Sequence, residues 1–225
     1  MFERYAIFYT PAPGAFADFG AAWLGWDSAI GKSVPHPTVP DLDVARLTAR
    51  PRKYGFHGTL KAPFHLHDTK SPRMLTEALQ AFAHGHPPVP LGALKASPAN
   101  GFISLRASIA SKALDSLAAA VVTEFDIFRA PSSQEDIERR RRTHLSPRQD
   151  QHMLDWGYPY VFEDFHFHMT LTRSLRQQEL PKVLPLVQSL CAPVLPDHLV
   201  IDAVTLMGQD ADGYFHQLQR ATLAG

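Results

Sequence analysis

The sequence predicts an α+β chain made of two copies of one unit, each a small, largely antiparallel sheet backed by helices, facing each other across a cleft. Three observations predict it. A four-position phrase, His-x-Thr-Leu, stands at His57–Leu60 and again at His168–Leu171. Each phrase is preceded by a strand pattern and a helix pattern and followed by a helix pattern and a hairpin. Apolar residues alternate along the runs that carry the phrases, as they do on a strand with one buried face. The whole chain, 1–225, is expected to be one bilobal domain with a helical insert at about 130–160.

The elements follow in order. "RYAIFYT" reads as a first strand, stopped by "PAPG", and "AFADFGAAWLGW" has near-helical apolar spacing. A proline-rich passage, "GKSVPHPTVPDLD", leads through a short helix to the first phrase. In "SPRMLTEALQAFAHG", Ser71 is the expected N-cap, Pro72 suits the first helical position and Gly85 suits the end. "PVPLGALKAS" and "FISLRAS" are strand candidates joined at Asn100-Gly101, a pair that tolerates the positive φ of a tight hairpin. "SKALDSLAAAVVTEFDIF" is a helix. In the insert, Ser132 or Ser133 caps one short helix; Ser146, Pro147 and Gln149 open another, which Gly157 ends. After the second phrase come the helix "QQELPKVLPLVQSL", the strand "HLVIDAVTLMG", the turn "DADG" and the strand "YFHQLQRA".

Composition narrows the function. The chain has 225 residues, enough for a substantial core, and Lys plus Arg and Asp plus Glu each count 22. With a formal net charge of zero, no global basic field gathers nucleic acid, and DNA is not expected as a partner. The single Cys191 excludes an internal disulfide and a cysteine-based zinc site. The N-terminal "MFERYAIFYT" lacks the pattern of a signal peptide and no run is long enough to span a membrane, so the expected location is the cytoplasm.

The paired phrase carries the chemistry. In the second copy Phe165, Phe167, Met169 and Leu171 share one side of a strand, and His166, His168, Thr170 and Thr172 the other. In the first, Phe56 and Leu60 are expected to face the core while His57, Thr59 and Lys61 face outward. Two imidazoles brought together can act as general base and general acid, and histidine keeps both protonation forms accessible near neutrality. The threonine hydroxyls can bind the oxygens where charge gathers. A phosphodiester, with attack and departure on opposite sides of phosphorus, suits this arrangement and needs no metal or other cofactor. Lys61 and Arg173, just past each phrase, would add positive charge toward the phosphate.

"YGFHGTLKAPF", "LSPRQ", "WGYPYVF" and "FHFHMTLT" resemble the 2H phosphoesterase superfamily, in particular its branch associated with bacterial phosphonate-utilisation operons. The resemblance covers nearly the whole chain. It implies a bilobal fold and metal-free chemistry on cyclic or linear phosphodiesters, with His57, Thr59, His168 and Thr170 matching the catalytic pattern position by position. A cyclic phosphate of a ribose, from phosphonate breakdown or from RNA ends, is the substrate it suggests. Which histidine is the base stays open, as does the oligomeric state.

Other residues have two readings each. Arg148, Tyr158 and Tyr160 in the insert, and Tyr54 ahead of His57, either cover the cleft and contact a base or sugar, or pack against the lobes. The run Arg139–Arg142 reads as a solvated face paired with Glu135 and Glu138 at i,i+4 in preference to an RNA contact. Three His-x-His pairs, His65/His67, His84/His86 and His166/His168, raise the alternative of a metal-dependent hydrolase, but no third ligand follows by spacing. A nucleotide- or RNA-binding module without turnover is the alternative of another class.

Overall fold

The computed structural model describes residues 2–225. In chain order the elements are β1 (Arg4–Tyr9), α1 (Ala15–Leu24), the two-residue strands β2 (Trp26–Asp27) and β3 (Lys32–Ser33), α2 (Val44–Leu47) and β4 (Gly58–Phe64). Then come α3 (Pro72–His84), β5 (Val89–Gly92), β6 (Leu94–Ala99), β7 (Phe102–Ala107) and α4 (Lys112–Glu124). The remainder is α5 (Gln134–Arg141), α6 (Pro147–Trp156), β8 (Met169–Thr170), α7 (Leu180–Cys191), β9 (Leu199–Ile201), β10 (Ala203–Gln209) and β11 (Phe215–Thr222). The architecture is α+β, with an antiparallel seven-stranded sheet in the order β11-β10-β1-β4-β8-β7-β6. No helix among the described residues is long and apolar enough to cross a membrane.

The two motif strands are neighbours, and the two groups of strands on either side of them meet at one paired position, Gly58 opposite Met169. The repeat is interlocked. The hairpin that follows the first phrase, β6–β7, lies beside the second motif strand, while the hairpin that follows the second, β10–β11, lies beside β1 and hence beside the first. Each half of the sheet is thus closed by residues from the other half of the chain.

Local chemistry explains the elements. Ser71, Ser111, Ser133 and Ser146 each accept a backbone N–H bond at a helix start, and Ser146 with Gln149 forms a full capping box. Gly157 ends α6 in the left-handed region at φ 72°. Asn100 and Gly101, at φ 48° and 81°, turn β6 into β7 as their types predict. The run "PVPLGALKAS" splits at Gly92, also at positive φ: β5 leaves to pair with β9, and only β6 pairs with β7.

The apolar faces of α1, α3, α4 and α7 share one core with Tyr5, Ile7 and Tyr9 of β1, Leu60 of β4 and Met169 and Leu171 around β8. The opposite face of β1 presents Ala6 and Phe8, which pack with Met207 and Phe215. The sheet therefore has one helix-covered side and one side where aromatic and polar groups stand open to the loops. The second motif strand is shorter than its alternation predicts, with only Met169 and Thr170 in ladder pairs. The alternation itself is kept: Phe167, Met169 and Leu171 are buried, while His166 is exposed and His168 and Thr170 are half-buried.

Gly58 is where the halves touch. A Cβ there would run into the ring of Phe167, which lies across the glycine. Replacing Gly58 by Ala is expected to push that ring out of place and cost ~1–3 kcal/mol of stability. Urea unfolding reads this as a lowered midpoint with an unchanged slope.

Candidate functional site

The open face of the sheet holds a cavity of about 450 Å³ bordered by His57, Thr59 and Ala62 from the first motif strand and Thr170 and Thr172 from the second. Tyr54, Tyr158 and Tyr160 also border it, with Asn100 and Phe102 from the β6–β7 hairpin. His168 stands beside it, its ring 5.6 Å from that of Phe102.

Both imidazoles are fixed in the same way. His57 Nδ1 lies 2.9 Å from the carbonyl oxygen of Gly55, and His168 Nδ1 lies 2.8 Å from that of His166. A carbonyl can only accept, so each Nδ1 carries the proton and each Nε2 keeps a lone pair. In both copies the acceptor is two residues upstream, a repetition that follows from the duplicated backbone path. Nε2 of His57 is 3.2 Å from the hydroxyl of Thr59, which donates to it. The His57 ring is held on Phe8 at 4.0 Å between centroids and flanked by Tyr54 at 5.8 Å. Tyr54 in turn stacks on Phe215 at 5.0 Å.

Burial pushes the His57 pKa down to about 4, the Gly55 bond opposing it and the charge of His168 adding to it. Burial also lowers His168, the bond to the His166 carbonyl opposing it and the charges of Arg106 and His166 adding to it. Both rings are therefore poised as neutral bases. The rim is cationic: Arg4, Arg50, Arg140 and Arg173 border the cavity and no carboxylate does. Arg173 is neutralised by Glu179 at 2.8 Å, and Arg140 lies over the ring of Tyr158 at 5.2 Å. Burial, assisted slightly by Tyr160 and Tyr54 and opposed by Arg140, pushes the Tyr158 phenol up to about 12, so it stays a hydrogen-bond donor.

Two expected contacts are corrected. Lys61 does not reach the cavity; it is 4% exposed on the helix side, its amine donating to the Val122 carbonyl at 3.0 Å and to Asp126 at 3.2 Å. The cause is a bulge. Thr59 pairs with Phe8 but Lys61 pairs with Ile7, so Leu60 is an extra residue and Lys61 takes the core-facing direction of Ile7. Burial lowers the Lys61 amine to about 8, Asp126 opposing it and Arg129 adding to it. Arg148 is also elsewhere: it makes a two-pronged bond with Asp164, at 2.8 and 3.1 Å, that fastens α6 to the segment before the second phrase.

The arginine run is rearranged too. The pairs Glu135–Arg139 and Glu138–Arg142 are not formed; Arg139 bonds Asp136, Arg141 bonds Asp150 at 2.7 Å, and Arg140 turns to the cavity. Arg4 and Arg50 were missed by sequence reading. Arg4 carried a signal, since it lies two and four residues before Ala6 and Phe8 and so shares their face. Among the described residues no group of three His, Cys, Asp or Glu side chains is placed to hold a metal ion.

Residues 59–216 match the model of a family described as a protein of unknown function, DUF1045. The chain is a DUF1045 protein. The matched span includes Thr59, His168 and Thr170. Among curated proteins, this DUF1045 chain is 33% identical over 231 residues to a ribose 1,5-bisphosphate phosphokinase PhnN of Janthinobacterium sp. (strain Marseille), covering 99% of the chain and 51% of the relative. It is 34% identical over 182 residues to the protein of the same name from Laribacter hongkongensis (strain HLHK9), covering 80% and 42%. The chain thus spans about half the length of the curated relatives it matches. Solved structures similar to it include E. coli LigT complexed with 3′-AMP, at TM-score 0.47 and 14% identity over 100% of both chains. TT0787 of Thermus thermophilus is similar at TM-score 0.48 and 13% identity, over 99% and 98% of the two chains.

Two measurements check the site. Lys61→Met is expected to leave phosphate-compound affinity unchanged and stability the same or higher, because Arg129 still bonds Asp126 at 2.8 Å. For His57, the folded pKa of about 4 lies below the ordinary 6.5, so the unfolded chain binds the extra proton between those values. The stability from a neutral His57 is whole above pH 6.5 and lost as pH falls toward 4. Urea midpoints at pH 7 and 4.5 should therefore fall further for the native chain than for His57→Gln; equal losses would refute the assignment.

Proposed function

We propose that this protein is a metal-independent phosphoesterase of the 2H type that hydrolyses a cyclic phosphate on a ribose or nucleotide, in a phosphonate-related setting. The observation that carries this reading is the twinned imidazole: in each phrase Nδ1 is tied to a carbonyl two residues back, Nε2 is left as the working nitrogen, and a threonine stands on the same strand face. Pattern recurrence on adjacent strands beside a cationic, carboxylate-free cavity supports a reacting phosphate there.

The roles follow from environment. His57, packed between Phe8 and Tyr54, takes the proton from water; His168, less enclosed, gives one to the departing ribose oxygen. With both rings neutral in the free protein, His168 gains its proton as the anionic phosphate binds. As the phosphate binds, the Thr59 hydroxyl turns from Nε2 of His57, freeing that lone pair, and with Thr170 donates to the non-bridging oxygens as the phosphorus passes through its five-coordinate state. Attack by water on phosphorus breaks the P–O bond to one ribose oxygen, leaving a phosphate monoester and a free hydroxyl.

The curated relatives carry the name of a ribose 1,5-bisphosphate phosphokinase, which makes ribose phosphates the first compounds to test. Kinase chemistry is not part of the proposal. The Gly31-Lys32-Ser33 run sits in and beside β3, in a hairpin with β2, and is not at the start of a helix where a phosphate-cradling loop belongs.

Turnover of 2′,3′-cyclic nucleotides and ribose cyclic phosphates is expected to persist in chelator. His57→Ala and His168→Ala should each lose ~10²–10⁴-fold in kcat while remaining folded, His57→Ala with a lowered urea midpoint because its stack on Phe8 is lost. Full activity in either variant, or abolition by chelator restored by a divalent metal, would overturn the mechanism.

A further inference from the structure

The four guanidiniums on the cavity rim are not equivalent. Arg173 is matched by Glu179, and Arg50 is exposed at the end of the segment before the first phrase. Arg4 and Arg140 are different: both are half-buried, and both border the main cavity and a smaller one beside it. The carboxylates of the neighbourhood are engaged elsewhere. Asp136 bonds Arg139 and Ser133, Asp126 bonds Arg129 and Lys61, and Asp150 bonds Arg141. Among the described residues Arg4 has only the neutral amide oxygen of Gln209, at 2.6 Å, and Arg140 has only the face of Tyr158.

Two guanidiniums held near each other are costly unless something negative arrives, and the carboxylate at hand, Asp136 on the smaller cavity, is already bonded to Arg139. Burial lowers the pKa of Arg140, Tyr158 and Asp136 opposing it and the charges of Arg139 and Arg4 adding to it. The Tyr158 hydroxyl has no hydrogen-bond partner among the described residues and borders the same cavity. Arg4 projects from the start of β1, and Arg140 comes from the last turn of α5, so the sheet and the insert each supply one guanidinium.

We propose that Arg4, Arg140 and the Tyr158 hydroxyl form a second anion subsite, which holds a terminal phosphate monoester of the same substrate whose cyclic phosphate sits at His57 and Thr170. The inference rests on the proposed function for the role of the imidazoles and extends it: the substrate is a phosphorylated ribose cyclic phosphate, anionic at both ends. A cavity of about 450 Å³ falls within the roughly 300–1,000 Å³ of small-molecule sites and accommodates a sugar between two phosphates. Guanidinium forks suit a phosphate monoester because they can donate two parallel hydrogen bonds.

The test compares adenosine 2′,3′-cyclic phosphate with its 5′-phosphorylated counterpart. The native chain should favour the doubly anionic compound in kcat/KM by ~10–100-fold, the range for charge-assisted bonds. Arg140→Gln and Arg4→Gln should each bring that ratio down by about tenfold, and Arg140→Lys should restore part of it. A native ratio near one, or a ratio untouched by both variants, overturns the subsite. A second arm keeps the two readings separate: calorimetric binding of ribose 5-phosphate to the native chain, Arg4→Gln, Arg140→Gln and His57→Ala. Weakening by the arginine variants with His57→Ala unaffected upholds the subsite even if neither cyclic compound turns over. The reverse pattern removes it.

Discussion

The contact between Gly58 and Met169 is the constraint on which the rest depends. It is the one ladder pair between β4 and β8, and through it two groups of strands become one sheet. The glycine is required because Phe167 passes over it with no room for a side-chain carbon. That same passage puts His57 and Thr59 on one side of the seam and His168 and Thr170 on the other. Stability and site geometry therefore share a single point, and the hairpin exchange between the two halves of the chain reinforces it by making each half incomplete without the other.

Around that point the protein separates two kinds of cation. Lys61 is buried and neutralised by the half-buried Asp126, which Arg129 also bonds, and a matched triad of this kind does structural work without offering charge to a ligand. Arg140 and Arg4 are left unmatched at the cavity. A chain of zero net charge can thus present a cationic pocket, because carboxylates are spent on pairs that fasten the insert and the core: Asp164 with Arg148, Asp150 with Arg141, Asp136 with Arg139. Local pairing, and not total charge, decides where an anion is welcome.

The imidazoles illustrate how a duplicated backbone copies an electronic state. Each ring donates Nδ1–H to the carbonyl two residues upstream, so the tautomer is set by main-chain geometry that both copies inherit. Their depths differ. His57 is stacked on Phe8 with Tyr54 at its flank, and His168 has the looser company of Phe102. A near-symmetric pair thereby stands in unequal surroundings.

By itself the sequence determined the α+β class, the helix caps at Ser71 and Ser146, a third cap at Ser132 or Ser133, the Asn100-Gly101 turn and the buried alternation of Phe167, Met169 and Leu171, because capping, turn and alternation are rules about residues a few positions apart. It also singled out His57, Thr59, His168 and Thr170, since a phrase repeated in register with its flanking elements is visible in one dimension. Tertiary structure alone decided which hairpin closes which motif strand, that β5 pairs with β9, and that Phe167 seals the seam over Gly58. It also turned Lys61 inward and Arg140 toward the cavity. The reason is physical: a one-residue bulge between Ile7 and Phe8 turns Lys61 to the core side, and a second irregularity between Tyr5 and Ile7 brings Phe64 back into its original alternation. Likewise, the partner an arginine finds depends on which carboxylates packing brings within reach, and neither is written in the spacing of residues along the chain.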